Sequence, residues 1–230
     1  MIACTVCGAQ NDDLTVVCSS CKSYLQTKVD NLNLFETLWG LMESPRATFK
    51  RIALARHKNY VLLLSCLLGA ALVYGIFWFM TMGPKFSNVA TLIVTGVVIG
   101  PPAGVLFVVV FSAGLRVIGR MLGGRGSFRN VMGTVAYASA PIVYSLVFVF
   151  PIEIAIFGIY FFSDNPPPLA INPFLYLALL SLDVVAFVWS GVLLIVGSGV
   201  AMALPRVKAV ALSVIGMGAL GAGAFALRMM

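Results

Sequence analysis

Four cysteines near the start of the chain, Cys4-x2-Cys7 and Cys18-x2-Cys21, form two knuckles with ten residues between them. Gly8 directly follows the first knuckle, where glycine's backbone freedom allows a tight turn. Thiolates at this spacing can close a tetrahedral site for one zinc ion, and a segment this short has no core of its own to hold it together. A Cys4 shell leaves no position for water, so the expected role is structural. The alternatives are a pair of disulfides, which a reducing cytoplasm disfavours, or four unrelated thiols. The fifth cysteine, Cys66, sits within an apolar run and reads as a small buried hydrophobe.

Two carboxylates, Glu153 and Asp183, are the acidic residues inside the apolar runs. A charge in hydrocarbon costs several kcal/mol unless paired, hydrated or neutralised, so both are candidate intramembrane functional residues. Asp183 falls about 14 Å into its run at the helical rise of 1.5 Å per residue, nearer the midplane. It is expected to carry a proton or to hydrogen-bond buried hydroxyls, amides or water. Glu153 follows Pro151 and is expected nearer the outer end. Catalysis is not expected. The lone histidine, His57, lies in a basic segment outside the runs, and the Ser198 turn between Gly197 and Gly199 has no histidine to activate it.

The elements that would position these groups are apolar. The chain of 230 residues is 60% hydrophobic and 10% charged, with a mean hydropathy of +1.02, where soluble domains are about a quarter charged. Its net charge of +7 does not imply nucleic acid, because the bases cluster at the ends of apolar runs. Spans are expected at Tyr60 to Met82, Val89 to Leu115, Val131 to Phe162, Phe174 to Leu204 and Ala209 to Leu227. The second should kink or unwind at Pro101-Pro102. The third should bend at Pro141 and Pro151, and the fourth should tilt or break near Gly197 and Gly199. Gly96, Gly100 and Gly104, and the glycines Gly216, Gly218, Gly221 and Gly223, suit close helix contacts within the bundle or, alternatively, a homo-oligomer face.

All but Lys85 and Arg228 of the 15 Lys and Arg residues fall on one side of this five-span scheme. The positive-inside rule then places the N-terminus in the cytoplasm and the C-terminus outside. The first 30 residues lack the apolar stretch of a signal peptide. Between head and first span, Leu32, Leu34, Phe35, Leu38, Trp39, Leu41 and Met42, then Phe49 and Ile52, recur at helical spacing. One or two helices in the cytoplasmic interface are expected, with Trp39 at headgroup level and Arg46, Lys50 and Arg51 near anionic lipid. A linker packed on the bundle is the alternative.

Two stretches carry a resemblance. MESPRATFKRI, residues 42 to 52, and GGRGSFRNVMGTVAYASAP, residues 123 to 141, resemble in order and placement the recurring signatures of the Yip domain family of five-span membrane proteins. The cysteine head is similar to the zinc ribbon of some bacterial members. The resemblance implies a compact five-helix bundle with a cytoplasmic N-terminus. For eukaryotic relatives it implies association with Rab-type GTPases and early secretory traffic. The short ribbon in place of a long polar N-terminus points to a bacterial inner-membrane protein.

Within the second stretch, Gly123, Gly124 and Gly126 allow turns, and Ser127 is placed to cap the following helix. Arg125 and Arg129 hold the loop at the cytoplasmic face, where anionic headgroups are the expected phosphate partner. No P-loop ending follows, so nucleotide binding is not expected. Tyr137 and Pro141 share one helix face, as a packing kink or a functional pair. The fold class expected is an all-α polytopic membrane protein, five transmembrane helices with a small zinc-ribbon head. Its parts are a ribbon over 1–27, an interfacial linker over 28–58 and a Yip-like domain over 59–230. The expected function is a noncatalytic scaffold or adaptor that organises the membrane or recruits a cytoplasmic protein through the ribbon. The alternative is a transporter or channel for a small solute, ion or lipid, using Asp183.

Overall fold

The structure is a computed structural model that describes residues 1–26 and 31–229, apart from the side chains of residue 220 and residues 223–229. Lys28, Gly223 and Arg228, and the boundary between residues 27 and 28, lie outside that description. The head holds two short antiparallel strands, β1 (Ile2–Ala3) and β2 (Gln10–Asn11), and a second small pairing of Val17 with Tyr24. The α-helices that follow among the described residues are α1 (Leu34–Glu43), α2 (Pro45–Leu54), α3 (Val61–Phe79), α4 (Val89–Met121), α5 (Phe128–Ala138), α6 (Ala140–Tyr144), α7 (Phe150–Phe157), α8 (Pro168–Ile171), α9 (Pro173–Met202) and α10 (Arg206–Met229).

Local chemistry sets these starts. The side chains of Asn33, Ser127 and Asn172 accept from the backbone N–H three residues on and cap α1, α5 and α9. Asn88 and Thr91 form a reciprocal capping box at α4. Proline opens α2 and α9, where the missing N–H costs nothing.

Four stretches are long and apolar enough to cross a membrane: Val61–Phe79, Val89–Met121, Phe128–Phe162 and Pro173–Met202. The fifth expected run lies in α10, whose later side chains fall outside the described residues, so the described structure gives four spans rather than five.

The third span is segmented, as expected of its prolines. Helix α5 ends at Ala138 ahead of Pro141, and a π-helical turn at Ser145–Val149 precedes Pro151. Widening the turn there accommodates a ring that would otherwise clash with the carbonyl four residues back. Of the other expectations, unwinding of the second span and a break in the fourth do not occur. Helix α4 runs unbroken through Pro101-Pro102, and α9 runs unbroken through Gly197 and Gly199.

Along this stretch α4 lies directly against α3. A Cβ on Gly69 would stand 1.9 Å from the Gly100 carbonyl oxygen, and one on Gly104 would stand 2.0 Å from that of Ser65. The two backbones touch, and the Gly96-Gly100-Gly104 face is filled by α3 within one chain. At Gly197, a Cβ would meet Thr134 Cγ2 at 2.6 Å and Phe49 Cε1 at 2.8 Å. That glycine is a notch for an aromatic ring, not a break.

Two apolar cores result. One joins Leu41, Phe49 and Ile52 of the α1–α2 hairpin to Val135, Tyr137, Leu193 and Leu212; the other gathers Tyr74, Phe77, Leu92, Phe157, Phe161, Phe162 and Leu179.

Candidate metal centre and the polar sites of the bundle

Two similar turns build the head's sulfur cluster. Cys4 N–H donates to the Ala9 carbonyl, and Gly8 N–H to that of Cys4; Cys18 N–H donates to Ser23, and Lys22 N–H to Cys18. The residue after each second cysteine, Gly8 at φ +71° and Lys22 at φ +61°, takes the left-handed conformation that reverses the chain. Glycine does so freely, whereas Lys22 bears some strain.

The four Sγ atoms lie within 4.8 Å of one another. Cys4 to Cys21 is 3.5 Å and Cys7 to Cys18 is 3.6 Å. A tetrahedral zinc with Zn–S near 2.3 Å sets its sulfurs about 3.8 Å apart, so the donor set can hold a metal ion. All four are free thiols. The Ser23 hydroxyl lies 3.1 Å from Cys4 Sγ and 3.0 Å from Cys21 Sγ, and Asn11 Nδ2 donates to Cys18 Sγ. The Ser23 hydroxyl and then the Cys7 and Val6 amides pull the Cys4 thiol down to about 6. The Cys21 and Ser20 amides likewise lower Cys18, despite burial. Thiolate-favouring donors around clustered sulfurs are the outer support a metal site uses.

Of the expected interface residues, Trp39 is 64% exposed and forms an outward apolar stripe on α1 with Phe35 and Met42. Arg46 and Arg125 are exposed, and Lys50 is half-buried. Both terminal nitrogens of Arg51 donate to Glu36, tying α2 to α1. In the head, the N-terminal ammonium, and beyond it Lys50 and Arg46, hold the Asp13 carboxyl below its usual range. Tyr137 and Pro141 are both buried, Tyr137 fully. In the Gly-rich loop only Gly123 has a positive φ, +91°. Gly124 and Gly126 are there for space, since a Cβ on either would press on Met202.

The structure brings Glu153 and Asp183 together, although the sequence placed them at different depths. Their carboxyls are in contact, and Asp183 also accepts from the Ser145 hydroxyl at the π-helical turn. Glu153 is 3% exposed, and its Oε1 has no hydrogen-bond partner. A signal for this pairing existed: Glu153 and Asp183 each stand ten residues from the ends, Ser163 and Pro173, of the intervening connection.

Lys58 counts in the sequence only as one of the basic residues ahead of the first span. Its ammonium donates to the Ile52 carbonyl at 2.7 Å, and its stem passes over Gly133, where a Cβ would lie 2.8 Å from Lys58 Cδ. Arg129 donates to the Arg56 carbonyl at 2.6 Å beside it. The two sequence signatures therefore meet twice, through Phe49 against Thr134 and Gly197, and through Ile52 and Gly133 around Lys58.

No curated protein and no solved structure gives a significant match to this chain. A family model of the Yip1 domain matches residues 39–227, from within α1 to within α10 and through both signature segments. With that match across most of its length, this chain belongs to the Yip1 domain family.

Proposed function

We propose that this protein is a noncatalytic membrane adaptor whose helical bundle supports a cytoplasmic, zinc-loaded head that recruits a protein partner. The observation that carries this reading is the anchoring of the α1–α2 hairpin. Phe49 and Ile52, each 1% exposed, lock it into the bundle, while Phe35, Trp39 and Met42 face outward. A hairpin held this firmly is a support for what precedes it, and Arg46 and Lys50 of α2 act on Asp13 of the head.

Zinc suits the four-thiol donor set and would fix the two turns, leaving their outer surfaces to a partner. Trp39, Arg46, Lys50 and Arg125 sit at the anionic headgroup layer in this reading, with the N-terminus in the cytoplasm of a bacterial inner membrane. Yip family members work with Rab-type GTPases. Here the compact cysteine head stands in place of a long polar segment, and the partner inferred is one that reads this head.

Native mass spectrometry of protein extracted from its own membrane tests the reading. One zinc and a stoichiometric partner are expected, with the partner released by Cys4→Ser and Cys18→Ser while the bundle stays folded. Retention of the same partner by the zinc-free variants would overturn it.

A second reading, a transporter or channel, is favoured by the contact of Glu153 with Asp183 beside Ser145. Its test is flux in proteoliposomes: a change in proton or ion flux with Asp183→Asn would put transport ahead of the adaptor role.

A further inference from the structure

Lys58 and Arg129 stand together at the mouth of a cleft of about 320 Å³ where α3, α4 and α5 meet. Each gives one donor to a backbone carbonyl, Lys58 to Ile52 and Arg129 to Arg56. An ammonium has three donors and a guanidinium five, so both have capacity left.

Among the described residues the ion pairs are Met1 with Asp13 and Arg51 with Glu36, and neither cleft cation is in one. Partial burial, and then the neighbouring Arg129 charge, push the Lys58 ammonium down to about 8. Two like charges gathered in a half-buried cleft are the arrangement an anion relieves.

Below the cations the cleft is lined by Leu62, Val105 and Val109. Leu62 is 64% exposed and Val109 39% exposed, on outward sides of two helices long and apolar enough to cross a membrane. A free phosphate would satisfy the mouth and leave this apolar wall uncovered. A phospholipid matches both at once, with its phosphate at the charged level and a chain against the wall.

We propose that this cleft binds one anionic phospholipid, its phosphate held between Lys58 and Arg129 and one acyl chain lying along the outer groove of α3 and α4. The site rests on the membrane placement given under Proposed function, and it is independent of the head and its partner. Gly133 is a positioning residue for it, because any side chain there would displace the Lys58 stem.

The test uses the full chain in phosphatidylcholine nanodiscs carrying a minor fraction of phosphatidylglycerol, ejected into a native mass spectrometer. One retained phosphatidylglycerol per chain is expected, undisplaced by millimolar glycerol 3-phosphate. Arg129→Gln should lower retention about tenfold, as expected for loss of one charge-assisted contact. Val109→Trp, which fills the groove and leaves both cations in place, should lower it too, with an unchanged melting temperature. Equal retention by both variants would overturn the proposal. Displacement by glycerol 3-phosphate would also overturn it, showing a soluble-phosphate site instead. Cys4→Ser should leave retention unchanged, so a failed adaptor reading and a failed lipid site give different results.

Discussion

The head and the bundle are held together by opposite means. In the head, Val6 is 72% and Tyr24 82% exposed, and the buried side chains include Cys4 and Cys18. It has turns, two short strands and sulfurs in place of an apolar core. In the bundle, Tyr137, Phe49, Phe162, Leu92 and Leu193 are each at most 1% exposed, and glycines let α3 and α4 touch. One region is gathered around a four-sulfur donor set that can hold an ion and the other around side-chain shape, so each should fail without the other.

Metal removal should give the largest effect. Coordination by four thiolates contributes on the order of 10 kcal/mol to the folding of such small sites. Chelation, or Cys18→Ser, should therefore erase amide-exchange protection across residues 1–26 while the melting of the bundle stays in place. Bundle unfolding together with the head would break the separation. Acid should act as chelation does, because protons compete with the metal for the thiolates.

Phe49→Ala comes next. Emptying a fully buried aromatic site costs about 3–5 kcal/mol. Denaturant titration in detergent should show that loss for the bundle, with zinc content unchanged. Gly104→Ala should cost about 1–3 kcal/mol by overpacking, since its methyl group would collide with backbone and α3 must move. No loss would mean that the α3–α4 contact is looser than the described geometry.

The smallest effect is the Lys58 pH dependence. Its folded value of about 8 lies below the ordinary 10.5, so between these the unfolded chain binds more protons. Lys58 thus destabilises the folded state below pH 8 and does so progressively less as pH rises towards 10.5. The stability advantage of Lys58→Met over wild type should shrink across that window. A flat difference would mean that Lys58 is not half-buried beside Arg129.

Much of this was legible in residue types and short spacings. The cysteine knuckles, the Ser127 cap, the helical stretches before the first span and the bends near Pro141 and Pro151 are local features, set by a few neighbouring residues. The close fit of α4 on α3 was not legible, because it depends on Gly69 of another helix. The pairing of Arg51 with Glu36, fifteen residues away, was not legible either, because it needs α1 folded back on α2.

The sequence by itself determined the donor set in the head, the apolar lengths that cross a membrane and the family to which the chain belongs. These depend on composition and on periods of a few residues. Only the tertiary structure decided that Gly96, Gly100 and Gly104 are consumed within the chain and that Glu153 meets Asp183. It likewise brought the two signatures together around Phe49 and Lys58. Those facts depend on the register between helices far apart in the chain. Connection lengths and side-chain interlocking fix that register jointly, and no single segment encodes it.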